Sequence, residues 1–147
     1  GVATEVVDHR PFKGDRAAFE TVLNATLERH APDIICFAGF MRIFTDRFIS
    51  HWQDRMINIH PSLLPKYRGL DTHARAIAAG DTHGGVSVHL VTEELDAGEV
   101  LGRIAVAIRP GETAKSLAER VRIAEHQLYP RILAEHVLRH AGACATV

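Results

Sequence analysis

The stretch Ile57–Gly69, INIHPSLLPKYRG, joins an alternating strand to a loop punctuated by proline. Because the side chains of a strand alternate between its two faces, Asn58 and His60 are predicted on one face while the two isoleucines point into the core. Pro61 ends the strand, since it has no N–H to continue the hydrogen-bond ladder. Polar side chains at the carboxyl end of a buried strand lie where open α/β sheets bind ligands. Asn58 and His60 are therefore candidate site residues.

An acidic turn at 94–98, ELDAG, follows later in the chain. It adds Asp96 to the amide of Asn58 and the imidazole of His60. These three side chains could converge on one reacting centre.

Composition limits the classes of function. The chain has 147 residues, which fits one domain, and its 17 basic and 18 acidic side chains give a formal net charge of −1. No dense positive charge favours nucleic acid or an anionic membrane, so small-molecule chemistry is indicated. Cys36 and Cys144 form no C-x-x-C pair, and no apolar run reaches the length of about 18 residues that a spanning helix needs. We expect a soluble, cytoplasmic protein.

The remaining pattern alternates helices with strands and predicts an α/β fold. It predicts a mostly parallel sheet flanked by helices, followed by a hairpin and a long C-terminal helix that Pro130 kinks or restarts. The predicted helices cover 15–30, 45–52, 72–79 and the region from 113 onward, and the predicted strands cover 2–7, 33–38, 56–60, 86–92 and 100–108. No internal repeat or linker interrupts this order.

Several common site chemistries have no supporting motif. His83, His89 and Asp96 could supply metal ligands, but the chain contains no H-E-x-x-H motif, and we expect no metal. Ser62 and Ser87 lie in no G-x-S-x-G elbow, and neither cysteine has a recognisable activating partner. Non-covalent acyl-type transfer remains.

Four segments resemble the phosphoribosylglycinamide formyltransferase family: AGFMRIF, IHPSLLPKYRGLDTH, GVSVHLVTEELDAGEVL and AEHQLYP. The resemblance covers about 1–140 and implies a Rossmann-like formyltransferase domain there, with 141–147 as a tail. Related methionyl-tRNA formyltransferases share S-L-L-P and the D-x-G turn but differ from this chain at 70–73, LDTH. The family transfers a formyl group from 10-formyltetrahydrofolate, as co-substrate, to the amine of glycinamide ribonucleotide in purine biosynthesis. Both partners are small molecules, and we expect a monomer or a homodimer.

By this resemblance Asn58, His60 and Asp96 occupy the three catalytic positions. Negative charge develops on the formyl oxygen when an amine attacks the formyl carbon, and fixed donors stabilise such a charge best. The Asn58 amide and a protonated His60 can both donate. A carboxylate at Asp96 would favour the protonated ring and fix its orientation, and its loop can order a water for proton transfer.

The resemblance also assigns binding segments. Residues expected to meet the formyl folate are Arg16, Met41, Arg42, Ile43, Phe44, Thr92, Glu93, Glu94 and Leu95. Residues expected to meet the ribonucleotide are Arg122, Ile123, Ala124 and Glu125, and Ser87 and His89 are expected to support the site. Glu125 is suited to accept hydrogen bonds from ribose hydroxyls.

One family feature has no counterpart here. Family members begin with a strand and a G-x-G-S-N loop that holds the ribonucleotide phosphate at a helix N-terminus, and this sequence contains no such loop. By the family's order the chain starts at the third strand, so the predicted 2–7 strand would lack its neighbour. Two alternatives to a phosphoribosylglycinamide formyltransferase therefore stand: an inactive fragment that retains a folate-binding face, and another formyl-folate enzyme such as a deformylase or a methionyl-tRNA formyltransferase.

Overall fold

The computed structural model describes residues 1–144, and for 140–144 only the helical backbone. A short 3₁₀ turn, Arg10–Phe12, precedes four helices and four strands. In chain order these are α1 (Arg16–His30), β1 (Ile35–Phe37), α2 (Asp46–His51), β2 (Met56–His60), α3 (Thr72–Ala78), β3 (His83–Leu90), β4 (Val100–Ala107) and α4 (Ala114–Cys144). The predicted helices and the last four predicted strands are thus confirmed in kind, with β3 beginning and ending earlier than expected. Of the predicted tail at 141–147, the first four residues continue α4 to Cys144, and 145–147 lie outside the described residues.

The sheet is mixed, with the strand order β1-β2-β3-β4. Strand β1 runs parallel to β2, whereas β2 with β3 and β3 with β4 pair antiparallel. The α/β class and the predicted hairpin are confirmed, but the expected majority of parallel pairings is not found in the described residues. The reason is that the first hairpin strand lies antiparallel beside β2, so two of the three pairings belong to the hairpin region.

The predicted strand over 2–7 is wrong. Residues 1–9 form no helix or strand, and Val2 and Val6 are 93% and 90% exposed. A strand needs a neighbour for its backbone groups, and within the described residues the segment has none. The Glu5 side chain joins this segment to the end of α1. Its carboxylate contacts Arg29 and, at 2.9 Å, His30.

The larger core lies between α4 and the hairpin. Leu117, Val121 and Leu128 of α4 are fully buried, and they share a cluster with Val86 and Val88 of β3. These α4 residues form one buried stripe against β3. At Pro130 we expected a kink or a restart of the helix, and the restart is wrong. The helix α4 continues through the proline, because buried Ile132 beyond it packs in the same cluster and offsets one missing hydrogen bond. No helix in the part of the chain described here is long and apolar enough to cross a bilayer.

A second, aromatic core covers the β1 side. Phe44 stacks on Phe48 of α2 with ring centroids 4.3 Å apart, and Trp52 is 2% exposed. The buried carboxylate of Glu20 in α1 accepts hydrogen bonds from the backbone N–H and the hydroxyl of Thr45, the N-cap of α2. This core fixes the entry to α2 and leaves the segment just before it at the surface.

Candidate active site

The pairing of β2 with β3 brings the predicted strand-end residues together. Asn58 lies opposite His89, and His60 lies opposite Ser87. The Asn58 Nδ2 and His89 Nε2 atoms are 3.3 Å apart. A register shift at 88–89 between β3 and β4 disturbs the ladder beside His89. Such irregularities often redirect a side chain next to a site.

Asp96 reaches the same place from the turn that joins the hairpin strands. Its backbone is left-handed, with φ of +50°, and the turn is closed by a 2.9 Å hydrogen bond from the Leu90 N–H to the Glu99 carbonyl. A side chain at Gly98 would place Cβ 1.9 Å from the Leu90 carbonyl oxygen, so only glycine allows this approach. The turn therefore delivers the carboxylate to the end of β2.

The Asp96 carboxylate lies between two histidines. Oδ2 is 3.4 Å from His60 Nδ1, and Oδ1 is 3.6 Å from His89 Nε2. The Gly69 N–H donates to Oδ2 at 2.9 Å. Only 7% of the His60 and Asp96 side chains and 3% of the His89 side chain are exposed. We call Asn58, His60, His89 and Asp96 the polar cluster.

The cluster keeps its carboxylate charged. Burial works to raise the pKa of Asp96, but the nearby His89 ring, the Gly69 N–H and the positive charge of the histidines outweigh it and leave the pKa below its usual value. An ionised Asp96 can hold both rings in fixed orientations.

Both ring nitrogens of His60 are engaged within the protein. Nε2 lies 2.9 Å from the Tyr67 carbonyl oxygen, which can only accept, so Nε2 carries a proton and donates. With Asp96 Oδ2 at Nδ1, the ring is flanked by two oxygen atoms that fix its orientation. Nearby, burial and the charge of His60 lower the pKa of His73 and keep that ring neutral.

Ser87 serves the loop after β2 rather than the polar cluster. Its hydroxyl donates to the Ser62 carbonyl at 2.7 Å and accepts from the Leu64 N–H at 3.0 Å. These bonds fix the loop that carries Tyr67 and Gly69.

The segment 41–44 divides into exposed and buried side chains. Met41 and Ile43 are 73% and 55% exposed, and the Arg42 guanidinium lies over the Phe19 ring at 5.9 Å. Phe44 is 8% exposed and belongs to the aromatic core. Of these four residues, Phe44 has no side-chain surface left for a ligand.

The predicted 92–95 segment is also at the surface. Leu95 is 51% exposed, the Thr92 hydroxyl donates to the Glu94 carbonyl at 3.2 Å, and Glu94 forms an ion pair with Arg68. Glu93 is exposed as well. The segment borders the turn that carries Asp96.

The remaining predicted residues lie on two helices. Arg16 is exposed at the start of α1. On α4, Ile123 is 62% exposed and Ala124 is buried, with exposed Arg122 and half-buried Glu125 on either side of them. Burial raises the pKa of Glu125 against the opposing charges of His126 and Arg122. Among the described residues, no hydrogen bond or ion pair joins these positions to the polar cluster.

Two backbone partners of the cluster were not predicted, the Tyr67 carbonyl and the Gly69 N–H. Main-chain groups carry no residue-type signal, so a sequence pattern does not reveal them. The described residues contain no group of three or more His, Cys, Asp or Glu side chains arranged to hold a metal ion.

This geometry occurs in a chain similar to known formyltransferases. Residues 1–133 match the family model described as formyl transferase. The chain is 42% identical over 133 residues to the phosphoribosylglycinamide formyltransferase of Escherichia coli, covering 90% of this chain and 62% of that protein. It is 44% identical over 133 residues to the bovine trifunctional purine biosynthetic protein adenosine-3, covering 90% of this chain and 13% of that protein.

Solved structures give the same result. The phosphoribosylglycinamide formyltransferase of Brucella melitensis matches with a TM-score of 0.85 and 47% identity, covering 92% of this chain and 69% of that one. The enzyme of Coxiella burnetii matches with a TM-score of 0.83 and 48% identity, covering 90% and 62%. These matches confirm the predicted formyltransferase fold.

Proposed function

This chain belongs to the formyl transferase family, and on that premise we propose that it transfers a formyl group from 10-formyltetrahydrofolate to the amine of glycinamide ribonucleotide in purine biosynthesis. The observation that carries the proposal is the buried carboxylate of Asp96, 3.4 Å from His60 and 3.6 Å from His89, with the Asn58 amide alongside. Its relatives named phosphoribosylglycinamide formyltransferase support the choice of substrate.

The polar cluster suits the chemistry of this transfer. As the amine nitrogen bonds to the formyl carbon, negative charge develops on the formyl oxygen, and the Asn58 amide is a donor for it. The His60 Nε2–H becomes a second donor by sharing its proton between the Tyr67 carbonyl and the formyl oxygen. The amine gives up a proton, the bond from the formyl carbon to the folate nitrogen breaks, and that nitrogen takes up a proton. The ionised Asp96 holds the His60 ring in a fixed orientation and can order a water that relays these protons.

The exposed segments would supply the binding surface. Met41, Ile43 and the 92–95 segment offer apolar and polar surface to the formyl folate, with Arg16 and Arg42 as cations for its carboxylates. The 122–125 segment would meet the ribonucleotide through Glu125. The proposal includes a cytoplasmic enzyme that works on small molecules, as a monomer or a homodimer.

A transfer assay tests the proposed function. The full chain is incubated with 10-formyltetrahydrofolate and glycinamide ribonucleotide, and both the formylated ribonucleotide and free formate are measured. We expect ribonucleotide product that depends on both substrates and is lost in His60→Ala. His30→Ala, which removes a half-exposed histidine at the end of α1, is the matched control and should retain activity.

Three other outcomes would contradict the proposal. Formate release without ribonucleotide product would indicate a deformylase. Formyl transfer to methionyl-tRNA but not to the ribonucleotide would indicate the tRNA enzyme. Binding of the formyl folate without turnover of any acceptor would identify an inactive folate-binding chain.

A further inference from the structure

The loop 61–71 crosses the end of β2 and brings the Tyr67 carbonyl within hydrogen-bond distance of the His60 ring. The Tyr67 oxygen accepts the Nε2 proton of His60 at 2.9 Å. Tyr67 has a left-handed backbone with φ of +56°, a conformation that is unfavourable for a side chain of this size. Other contacts must therefore hold this residue in place.

The side chain of Tyr67 is held from the opposite side. Its hydroxyl donates to Asp81 Oδ2 at 2.8 Å, and the Lys66 ammonium lies 3.0 Å from both oxygens of the same carboxylate. The Arg75 guanidinium covers the Tyr67 ring with its carbon 5.3 Å from the ring centroid. Arg75 also donates to the Arg68 carbonyl at 2.7 Å, one residue after Tyr67.

Asp81 is itself fixed by secondary structure. It follows the end of α3, where its N–H donates to the Ala76 carbonyl at 3.1 Å, and it lies two residues before β3. Hydrogen bonds from Lys66 and Tyr67 hold the pKa of Asp81 below its usual value. The carboxylate is thus a charged acceptor for the Tyr67 hydroxyl, and such bonds are stronger than neutral ones.

We propose that Tyr67 is a positioning residue for His60: its hydroxyl, bound to Asp81, holds its carbonyl against Nε2 and thereby fixes the orientation of the ring between Tyr67 and Asp96. The catalytic meaning of this anchor rests on the proposed function. The anchor itself is a property of the folded chain, because the contacts that build it involve no substrate.

Nitrogen-15 NMR of the histidine rings tests the anchor directly. The full chain is labelled with ¹⁵N-histidine, and the His60 signals are assigned with His60→Gln. In Tyr67→Phe, which keeps the ring under Arg75 but loses the hydroxyl, the Nε2 proton should exchange with water about tenfold faster. Asp81→Ala should have the same effect, whereas Asp81→Asn keeps an oxygen acceptor without the charge and should fall between wild type and Asp81→Ala.

The second tyrosine gives a matched control. The Tyr129 hydroxyl donates to the Phe37 carbonyl at 2.7 Å and to the Ile57 carbonyl at 3.1 Å, away from the loop 61–71. Tyr129→Phe should lower the stability of the fold and leave the His60 exchange rate unchanged. Unchanged His60 exchange in Tyr67→Phe and Asp81→Ala would overturn the proposal, and so would a loss in Asp81→Asn as large as that in Asp81→Ala.

Turnover separates positioning from a purely structural role. In Tyr67→Phe we expect kcat to fall about fivefold to tenfold at a nearly unchanged KM for both substrates, with a smaller fall in Asp81→Asn. A rise in KM at an unchanged kcat would overturn the proposal that Tyr67 acts by positioning His60. If the wild-type chain transfers no formyl group while His60 still responds to Tyr67→Phe, the proposed function fails and the anchor stands.

Discussion

The polar cluster and the segment 41–44 are opposites in chemistry and in exposure. In the cluster, the ionisable side chains of His60, His89 and Asp96 are at most 7% exposed. In the segment, the apolar side chains of Met41 and Ile43 are 73% and 55% exposed. The fold thus buries ionisable side chains that water would solvate and exposes apolar side chains whose contact with water is unfavourable.

The stability of the fold alone would favour neither the buried polar cluster nor the exposed apolar side chains of 41–44. Buried polar groups cost free energy unless they are hydrogen-bonded, and the cluster meets that condition with bonds to the Tyr67 carbonyl and the Gly69 N–H. Large exposed apolar side chains that lie together often mark a binding surface. This contrast is what we expect if the cluster is a reactive centre organised in advance and the 41–44 side chains form a surface that a ligand covers.

The largest effect is expected from the donors of the cluster. Asn58→Ala and His60→Ala should each lower kcat by about 100- to 1,000-fold, since each removes one fixed donor to the developing charge on the formyl oxygen. Steady-state formyl-transfer kinetics give the change. Circular dichroism should show a retained fold, because both side chains lie at the end of β2 rather than in either core. Near-normal turnover in either variant would remove that residue from the chemistry.

The segment 41–44 contains its own contrast between core and surface. Phe44→Ala should lower the free energy of unfolding by about 3 kcal/mol, because it leaves a cavity between the stacked rings of Phe40 and Phe48. Met41→Ala, at a 73% exposed position, should leave stability nearly unchanged. Urea denaturation measures both, and the KM for the formyl folate should rise in Met41→Ala if the surface binds it. Equal stability losses would show that Met41 belongs to the core.

The same contrast explains how much could be predicted from the sequence. The helices, the hairpin and the strand β2 were predictable because their periodicity, caps and prolines are local. Asn58 and His60 were found as polar residues in an otherwise apolar strand. The strand predicted over 2–7 failed because its apolar alternation is local, whereas a strand requires a partner elsewhere in the chain.

The site shows a similar limit. The acidic turn marked Asp96, but the distances that join it to His60 and His89 depend on the β2–β3 register and on the left-handed turn. The Tyr67 carbonyl is a backbone contact in a loop, and no residue type signals it. The side chains of the cluster could therefore be predicted from the sequence. Its two main-chain partners, the Tyr67 carbonyl and the Gly69 N–H, could be identified only from the fold.

Asp96 links the chemistry of the cluster to stability. Asp96→Asn should lower the free energy of unfolding at neutral pH by about 2 kcal/mol, because it removes a charged acceptor for His60, His89 and the Gly69 N–H. The folded-state pKa of Asp96 is lowered, so its contribution is present above the unfolded value of about 3.9 and is lost as the pH falls through the folded value. The difference between wild type and variant should therefore shrink on acidification.

Denaturant titrations of both proteins at neutral and acidic pH measure this difference. The matched control is Asp54→Asn, an exposed aspartate in the turn before β2, for which we expect almost no difference at any pH. A difference for Asp96→Asn that persists at low pH would contradict the role of its charge.

Glu125 lies on the 122–125 segment, which we propose meets the ribonucleotide, and it tests whether that surface is as exposed as the segment 41–44. Its carboxyl is half-buried on α4, beside exposed Arg122 and Ile123, and burial raises its pKa. If it accepts hydrogen bonds from ribose hydroxyls, Glu125→Ala should raise the KM for the ribonucleotide about tenfold while kcat and the KM for the formyl folate change little. Glu119→Ala, at an exposed position earlier on the same helix, is the control. A fall in kcat instead would place Glu125 among the groups that act in the reaction. The contrast between a buried reactive centre and exposed binding surfaces would then not extend to α4.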